Sequence, residues 1–216
     1  MSGSKYEDQR EEFSTLFSNA GWTSRIAPHE VIERWCAFGA DCIDGFPWDI
    51  EDYLNDVTMR SALEEVEDSF RDLDPIGAEA LMREILTVDV SLQTVFEREV
   101  FPNAPEGRWW VRRVPSYAAR KFCREFKEAY NVKILPMSKF DDDVDAMKCL
   151  LAEGGELVDV FINVRRENWY VAGRPGLLFR ACKSSARLPR SAMGALWSWA
   201  SGELPDSRLR ADINPS

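Results

Sequence analysis

Apolar residues that recur every three or four positions dominate the first eighty residues of this chain, and that period permits little besides amphipathic helices. Phe13, Leu16, Phe17 and Ala20 form one stripe. Ile32, Trp35, Cys36 and Gly39 form a second, after Pro28, a residue suited to a first helical turn. Ile50, Tyr53, Leu54 and Val57, then Leu63, Val66, Phe70 and Leu73, hold the spacing long enough for one long helix or two abutting ones. Asp74 and Pro75 supply an N-cap and a first-turn proline for a helix whose apolar face is Ala78, Leu81, Met82 and Ile85.

The period changes near Thr87. Val88, Val90 and Leu92 alternate with Asp89, Ser91 and Gln93, the repeat of two expected of a half-buried strand. Arg108 to Val114, beyond a turn-rich stretch at 102–107, reads as its antiparallel partner. Pro115 and Ser116 open a helix with Ala119, Phe122, Cys123, Phe126 and Tyr130 on one side, and Val132 to Leu135 follows as a short strand. Ser138 with Asp141 makes a capping pair for a helix that stops at Gly154 and Gly155. Leu157 to Val164 is apolar on nearly both faces, as a central strand would be. Trp169 to Ala172 and Leu177 to Cys182 read as a hairpin at its edge, with a last helix after Pro189. The predicted fold is therefore α+β, an N-terminal helical region followed by a mixed or antiparallel sheet with packed helices. Its parts are an acidic helical region at 1–87, an α+β region with basic patches at 88–202 and a loose tail at 203–216, in one compact domain.

Eight Trp and twelve Phe in 216 residues exclude a solvated, low-complexity chain. The five cysteines, Cys36, Cys42, Cys123, Cys149 and Cys182, show no zinc spacing and suit a reducing compartment. The N-terminal residues are polar and acidic, unlike a secretory signal or transit peptide, and no run reaches the ~18 apolar residues of a membrane span. A cytoplasmic location is expected.

Catalytic constellations are scarce. His29 is the lone histidine and lies beside Pro28 in a first helical turn, where a capping or surface role accounts for it. The sequence holds no GxSxG elbow, no phosphate-binding GxxxxGK[ST] loop and no GxGxxG after a strand. Asp141, Asp142, Asp143 and Asp145 lack the spacing and closing Glu of a calcium loop, and acids in a first turn are stabilised by the helix dipole without any metal. No catalytic residue, metal or cofactor is assigned.

Charge is the stronger signal. Residues 1–107 hold 24 acidic and 8 basic side chains, a balance of −16, whereas residues 108–216 hold 13 and 19, a balance of +6. On the long helix Asp52, Asp56, Arg60, Glu64, Asp68 and Asp72 follow one another at intervals of four. Like charges at i,i+4 cost about 0.2–0.5 kcal/mol each. Asp52, Asp56, Glu64, Asp68 and Asp72 are therefore the candidate docking residues for a basic protein, although a solvated helix face would carry the same pattern. Arg112, Arg113, Arg120, Arg124, Arg165 and Arg166, interleaved with Trp109, Trp110, Trp169 and Tyr170, form an alternative anion-binding or nucleic-acid-binding set. No RNP, KH or helix-turn-helix signature accompanies them. These bases could equally face the chain's own acidic half or a second copy.

The stretch VDVSLQTVFEREVFPNAPEGRWWVRRVP, about thirty residues, resembles segments of small bacterial proteins, and the whole chain resembles immunity proteins that neutralise bacterial toxins. The resemblance implies a non-enzymatic protein that covers a basic surface of a cognate toxin, and gives Asp52 to Asp72 the role of the acidic face. It carries over no individual site residue.

Overall fold

The computed structural model describes residues 3–213, with side chains from Arg10 onward. It is 68% helical and 4% strand, an all-helical fold, and this overturns the expected α+β architecture with its mixed sheet. The chain divides into two compact units, residues 1–136 and 137–216, which are described separately.

In unit 1, α1 (Gly3–Asn19), α2 (Pro28–Ile43), α3 (Ile50–Leu73) and α4 (Pro75–Gln93) are the helices that the 3–4 period requires, and the long stripe is one helix. Their starts are fixed chemically. Asp49 Oδ1 accepts the Asp52 N–H at 3.2 Å, and Asp74 Oδ1 accepts the Gly77 N–H at 3.1 Å just ahead of Pro75. Glu30 accepts the Ala27 N–H at 2.6 Å and closes the first turn of α2. The core is aromatic. Phe13 meets Phe70 edge to face at 4.6 Å, Trp35 stacks on Phe38 at 4.8 Å, and Phe46 meets Phe122 at 5.3 Å.

Two of the expected strands in this unit are not there. Val88 to Leu92 belongs to α4, where Asp89 and Leu92 point inward and Val90 outward. A helix places Val88 and Val90 about 200° apart, so the alternation is dissolved by burying the polar Asp89 instead. Arg108 to Val114 is mostly a single helical turn, α5 (Trp109–Arg112). Only β2 (Arg113–Val114) is extended, and it pairs antiparallel with β1 (Arg98–Glu99). The chain then makes β3 (Tyr117–Ala118), α6 (Arg120–Tyr130) and β4 (Leu135–Pro136), with β3 and β4 parallel and Ala118 bridged to Phe46. The helix expected from Pro115 thus starts at Arg120.

Unit 2 contains α7 (Lys139–Ala152), α8 (Leu157–Arg166), α9 (Pro175–Ser185), a 3-10 turn (Arg190–Ala192), α10 (Met193–Ala200) and α11 (Asp206–Ile213). Ser138 Oγ accepts the Asp141 N–H at 3.1 Å, and α7 stops where Gly154 takes φ +95°, a value that favours glycine. The central strand expected at Leu157 to Val164 is α8. Val158, Val160, Phe161, Ile162 and Val164 are all buried around it, so its all-round apolarity reflects a helix packed on most sides. The expected hairpin at 169–182 is a turn followed by α9, with Pro175 in its first turn and Leu177, Leu178, Ala181 and Cys182 buried. Within the expected loose tail, Asp206–Ile213 forms α11, whose Leu209 is fully buried, and 214–216 lie outside the described residues.

Candidate partner-binding surface

Residues spaced by four do not stay on one line of an α-helix, because each step turns ~40° past the full circle. Over the five steps from Asp52 to Asp72 the row winds about 200° around α3. Its members therefore meet different surroundings.

Arg60, the base in the row, lies inside the protein. Its guanidinium pairs with Asp89 of α4 at 2.9 Å, not with the neighbouring Asp56 or Glu64. Asp56 turns towards α2 and accepts the Arg34 Nε–H at 2.6 Å, its side chain only 15% exposed. Burial pushes the Asp56 carboxyl above its usual range, outweighing the pull of Arg34. Glu64 is bound by Arg108, which also reaches Glu65 at 3.1 Å. Asp52 lies exposed in the first turn of α3, on the helix that Asp49 caps. Asp68 and Asp72 remain on the surface. The Asp68 side chain is 97% exposed, with Arg71 3.4 Å away, and no ion pair is found for Asp72 among the described residues.

The basic set is also divided. Arg112, Arg113, Arg120 and Arg124 belong to unit 1, Arg165 and Arg166 to unit 2. Arg112 is held by Glu99 at 2.6 Å and by the Ala104 carbonyl at 2.9 Å. Arg113 is half-buried, while Arg120 and Arg124 are exposed on α6. Arg165 lies 5.1 Å over the Trp199 ring and 3.9 Å from Asp206, and Arg166 pairs with the same carboxylate. The Trp199 Nε1–H donates to Asp206 at 2.9 Å. This bond, before the two arginines, holds the Asp206 carboxyl below its usual range.

Much of the segment that follows Gly107 answers the acidic helices. Besides Arg108, Lys121 reaches Asp49 at 3.2 Å and Glu125 at 3.4 Å, and Glu125 accepts the Ile50 N–H at 3.2 Å. Counted by structural unit, residues 1–136 hold 26 acids and 16 bases, a balance of −10, while residues 137–216 hold 11 of each. The +6 of the second half is thus the charge of residues 108–136, which fold within the acidic unit. Arg34 and Arg108 are the residues that sequence reasoning missed. Arg108 lies 44 residues from Glu64, so no local spacing points to the pair.

Beside the exposed end of α3 is an open cleft of about 450 Å³ lined by Glu11, Glu12, Thr15, Leu16, Ser69 and Leu73. Among the described residues no group of three or more His, Cys, Asp or Glu side chains could hold a metal ion, and no helix is long and apolar enough to cross a membrane. No family model, curated protein or solved structure matches this chain.

Proposed function

We propose that the chain is a non-enzymatic binding protein whose acidic unit 1 docks a basic protein partner. The observation that carries this reading is the division of labour along α3. Asp56 and Glu64 are consumed by Arg34 and Arg108, whereas Asp68 and Asp72 stay exposed at the other end of a unit with a balance of −10. Charge that the fold does not use weakly opposes folding, and complementary charge on a partner turns it into faster and more selective association. Under this reading the docking residues are Asp68 and Asp72, with Glu11 and Glu12 at the neighbouring cleft. The immunity-type resemblance supplies the partner class, a cognate toxin whose basic surface is covered in the cytoplasm.

The test is capture of a partner from the native host with the wild-type chain, followed by association kinetics at several salt concentrations. Asp68→Lys with Asp72→Lys is expected to slow association about tenfold and to flatten its salt dependence. Asp56→Asn is expected to leave both unchanged. An unaltered association rate in the double variant would remove this reading.

A further inference from the structure

Unit 2 is neutral in total, but its charges are not mixed. Residues 168–202 hold five basic side chains and no acidic one, so the acids of the unit all lie outside that stretch. Arg174 and Arg180 lie over rings of the fold, Tyr170 at 4.7 Å and Phe140 at 5.5 Å. Lys183, Arg187 and Arg190 are exposed, and no ion pair or side-chain hydrogen bond is found for them among the described residues. They run from the last turn of α9, through the link after it, to the 3-10 turn that leads into α10.

An aromatic ring stands among these bases. Trp197 is 46% exposed, the most exposed of the eight tryptophans. Its ring meets Phe179, one turn before Lys183 on α9, edge to face at 5.5 Å, and Arg190 lies two turns before it in the chain. A single exposed apolar side chain is ordinary, but the residue beside this one is not. Helical side chains lean towards the N-terminus, so the indole leans over Gly194, three residues earlier. A Cβ on Gly194 would meet nothing within 4 Å, and Gly194 lacks the positive φ of Gly173 and Gly202. Neither packing nor backbone conformation asks for glycine here, although glycine weakens a helix relative to alanine. The missing side chain leaves the flank of the indole open.

The occupant must use both the bases and the open ring. A polybasic membrane anchor takes clusters of about four to eight bases, more than the three left unpaired here. An acidic protein segment would pair with the bases but has no need of the opening at Gly194. In duplex nucleic acid the bases already stack on one another. An unpaired strand offers a flat base for the indole and phosphates for the cations on either side of it.

We propose that unit 2 binds single-stranded nucleic acid, with Trp197 as the stacking platform and Lys183, Arg187 and Arg190 as the phosphate contacts. Gly194 keeps the platform clear. This surface belongs to unit 2 and does not depend on the acidic reading of unit 1.

The probe is a fluorescently labelled oligonucleotide of about twelve thymidylates, which forms no duplex of its own, titrated with the full chain at several salt concentrations. Three phosphate contacts predict that the logarithm of the affinity falls against the logarithm of salt with a slope of about −2. Trp197→Leu, which keeps an apolar side chain against Phe179, is expected to weaken binding about tenfold with the slope unchanged. Gly194→Leu should do the same without lowering the melting temperature, because it fills open space on a helix. Lys183→Gln with Arg190→Gln should reduce the slope to about −0.7. A duplex of the same length and a poly-glutamate peptide of the same charge should each bind at least about tenfold more weakly. Equal binding of either one overturns the proposal, as does full affinity in Trp197→Leu or no binding to the thymidylate strand at low salt. Vesicles of phosphatidylserine and phosphatidylcholine cover the membrane, since vesicle binding lost in Trp197→Leu, without binding to the strand, would give the patch to a lipid surface instead.

Discussion

Arg60 of α3 and Asp89 of α4 form an ion pair 2.9 Å long in which each side chain is only 5% exposed. The second Asp89 oxygen accepts the Trp35 Nε1–H at 2.9 Å, so three helices converge on one carboxylate. The Trp110 ring covers the guanidinium at 4.0 Å, and the Arg60 Nε and Nη1 groups have no protein acceptor among the described residues. The pair fixes the register of α2, α3 and α4 at a desolvation cost that apolar packing would not carry.

Breaking this pair from one side leaves a buried charge alone. Arg60→Met is expected to destabilise the protein by about 3–5 kcal/mol, and the double replacement Arg60→Met with Asp89→Leu to recover part of that loss, less about 1–3 kcal/mol for leaving the buried Trp35 Nε1–H without its acceptor. Urea denaturation of the two variants checks it. Equal losses in both would mean that the charges are net stabilising here.

Gly39 sets how closely α2 approaches α4. A Cβ at this position would lie 2.7 Å from Val88 Cγ1, a stiff β-branched neighbour. Gly39→Ala is therefore expected to cost about 1–3 kcal/mol despite the better helix propensity of alanine. Adding Val88→Ala should return part of it, as measured by the midpoint of chemical unfolding.

Leu209 ties α11 into the core of unit 2, where it is fully buried. Leu209→Ala is expected to lower stability by about 2–5 kcal/mol, the range for a core leucine, whereas the same change in a loose tail would cost nothing. Thermal unfolding followed by near-UV circular dichroism distinguishes the two.

Asp206 provides a pH dependence with a definite sign. Its carboxyl titrates below the usual range when folded, chiefly because the Trp199 indole donates to it, with Arg166 and Arg165 adding to the effect. The stability it contributes is thus complete above the unfolded carboxyl value of ~3.9 and is lost as pH falls through the lower folded value. Asp206→Asn is expected to lower the melting temperature at pH 7, and the gap from the wild type should close below pH 4. A gap of the same size at pH 3 and pH 7 would contradict this origin.

Helix starts were the most legible part of the fold. Asp74 before Pro75, Ser138 before Asp141 and the Gly154 stop are local hydrogen-bond and dihedral requirements, readable within four residues. Leu157 to Val164 was not legible by period, since an apolar run of eight suits a buried helix as well as a buried strand. Acids at Glu156 and Asp159 and bases at Arg165 and Arg166, arranged along the helix dipole, were the signal that favoured α8. In the candidate site, the row of acids could be read from the sequence, but the capture of Asp56 by Arg34 and of Glu64 by Arg108, which leaves Asp68 exposed, could not.

The amino-acid order dictates the amphipathic front, the aromatic wealth of the core and the total of −10, because these depend on composition and on neighbours a few residues apart. Which charges remain for a partner was decided only when the helices packed. Arg60 left the row for Asp89, Arg34 took Asp56 and Arg108 took Glu64, each across 22 residues or more. The difference is physical. Local periodicity is set by the 3.6-residue turn, whereas the partner of a charge is set by which surfaces desolvate together, and that exists only in the folded chain.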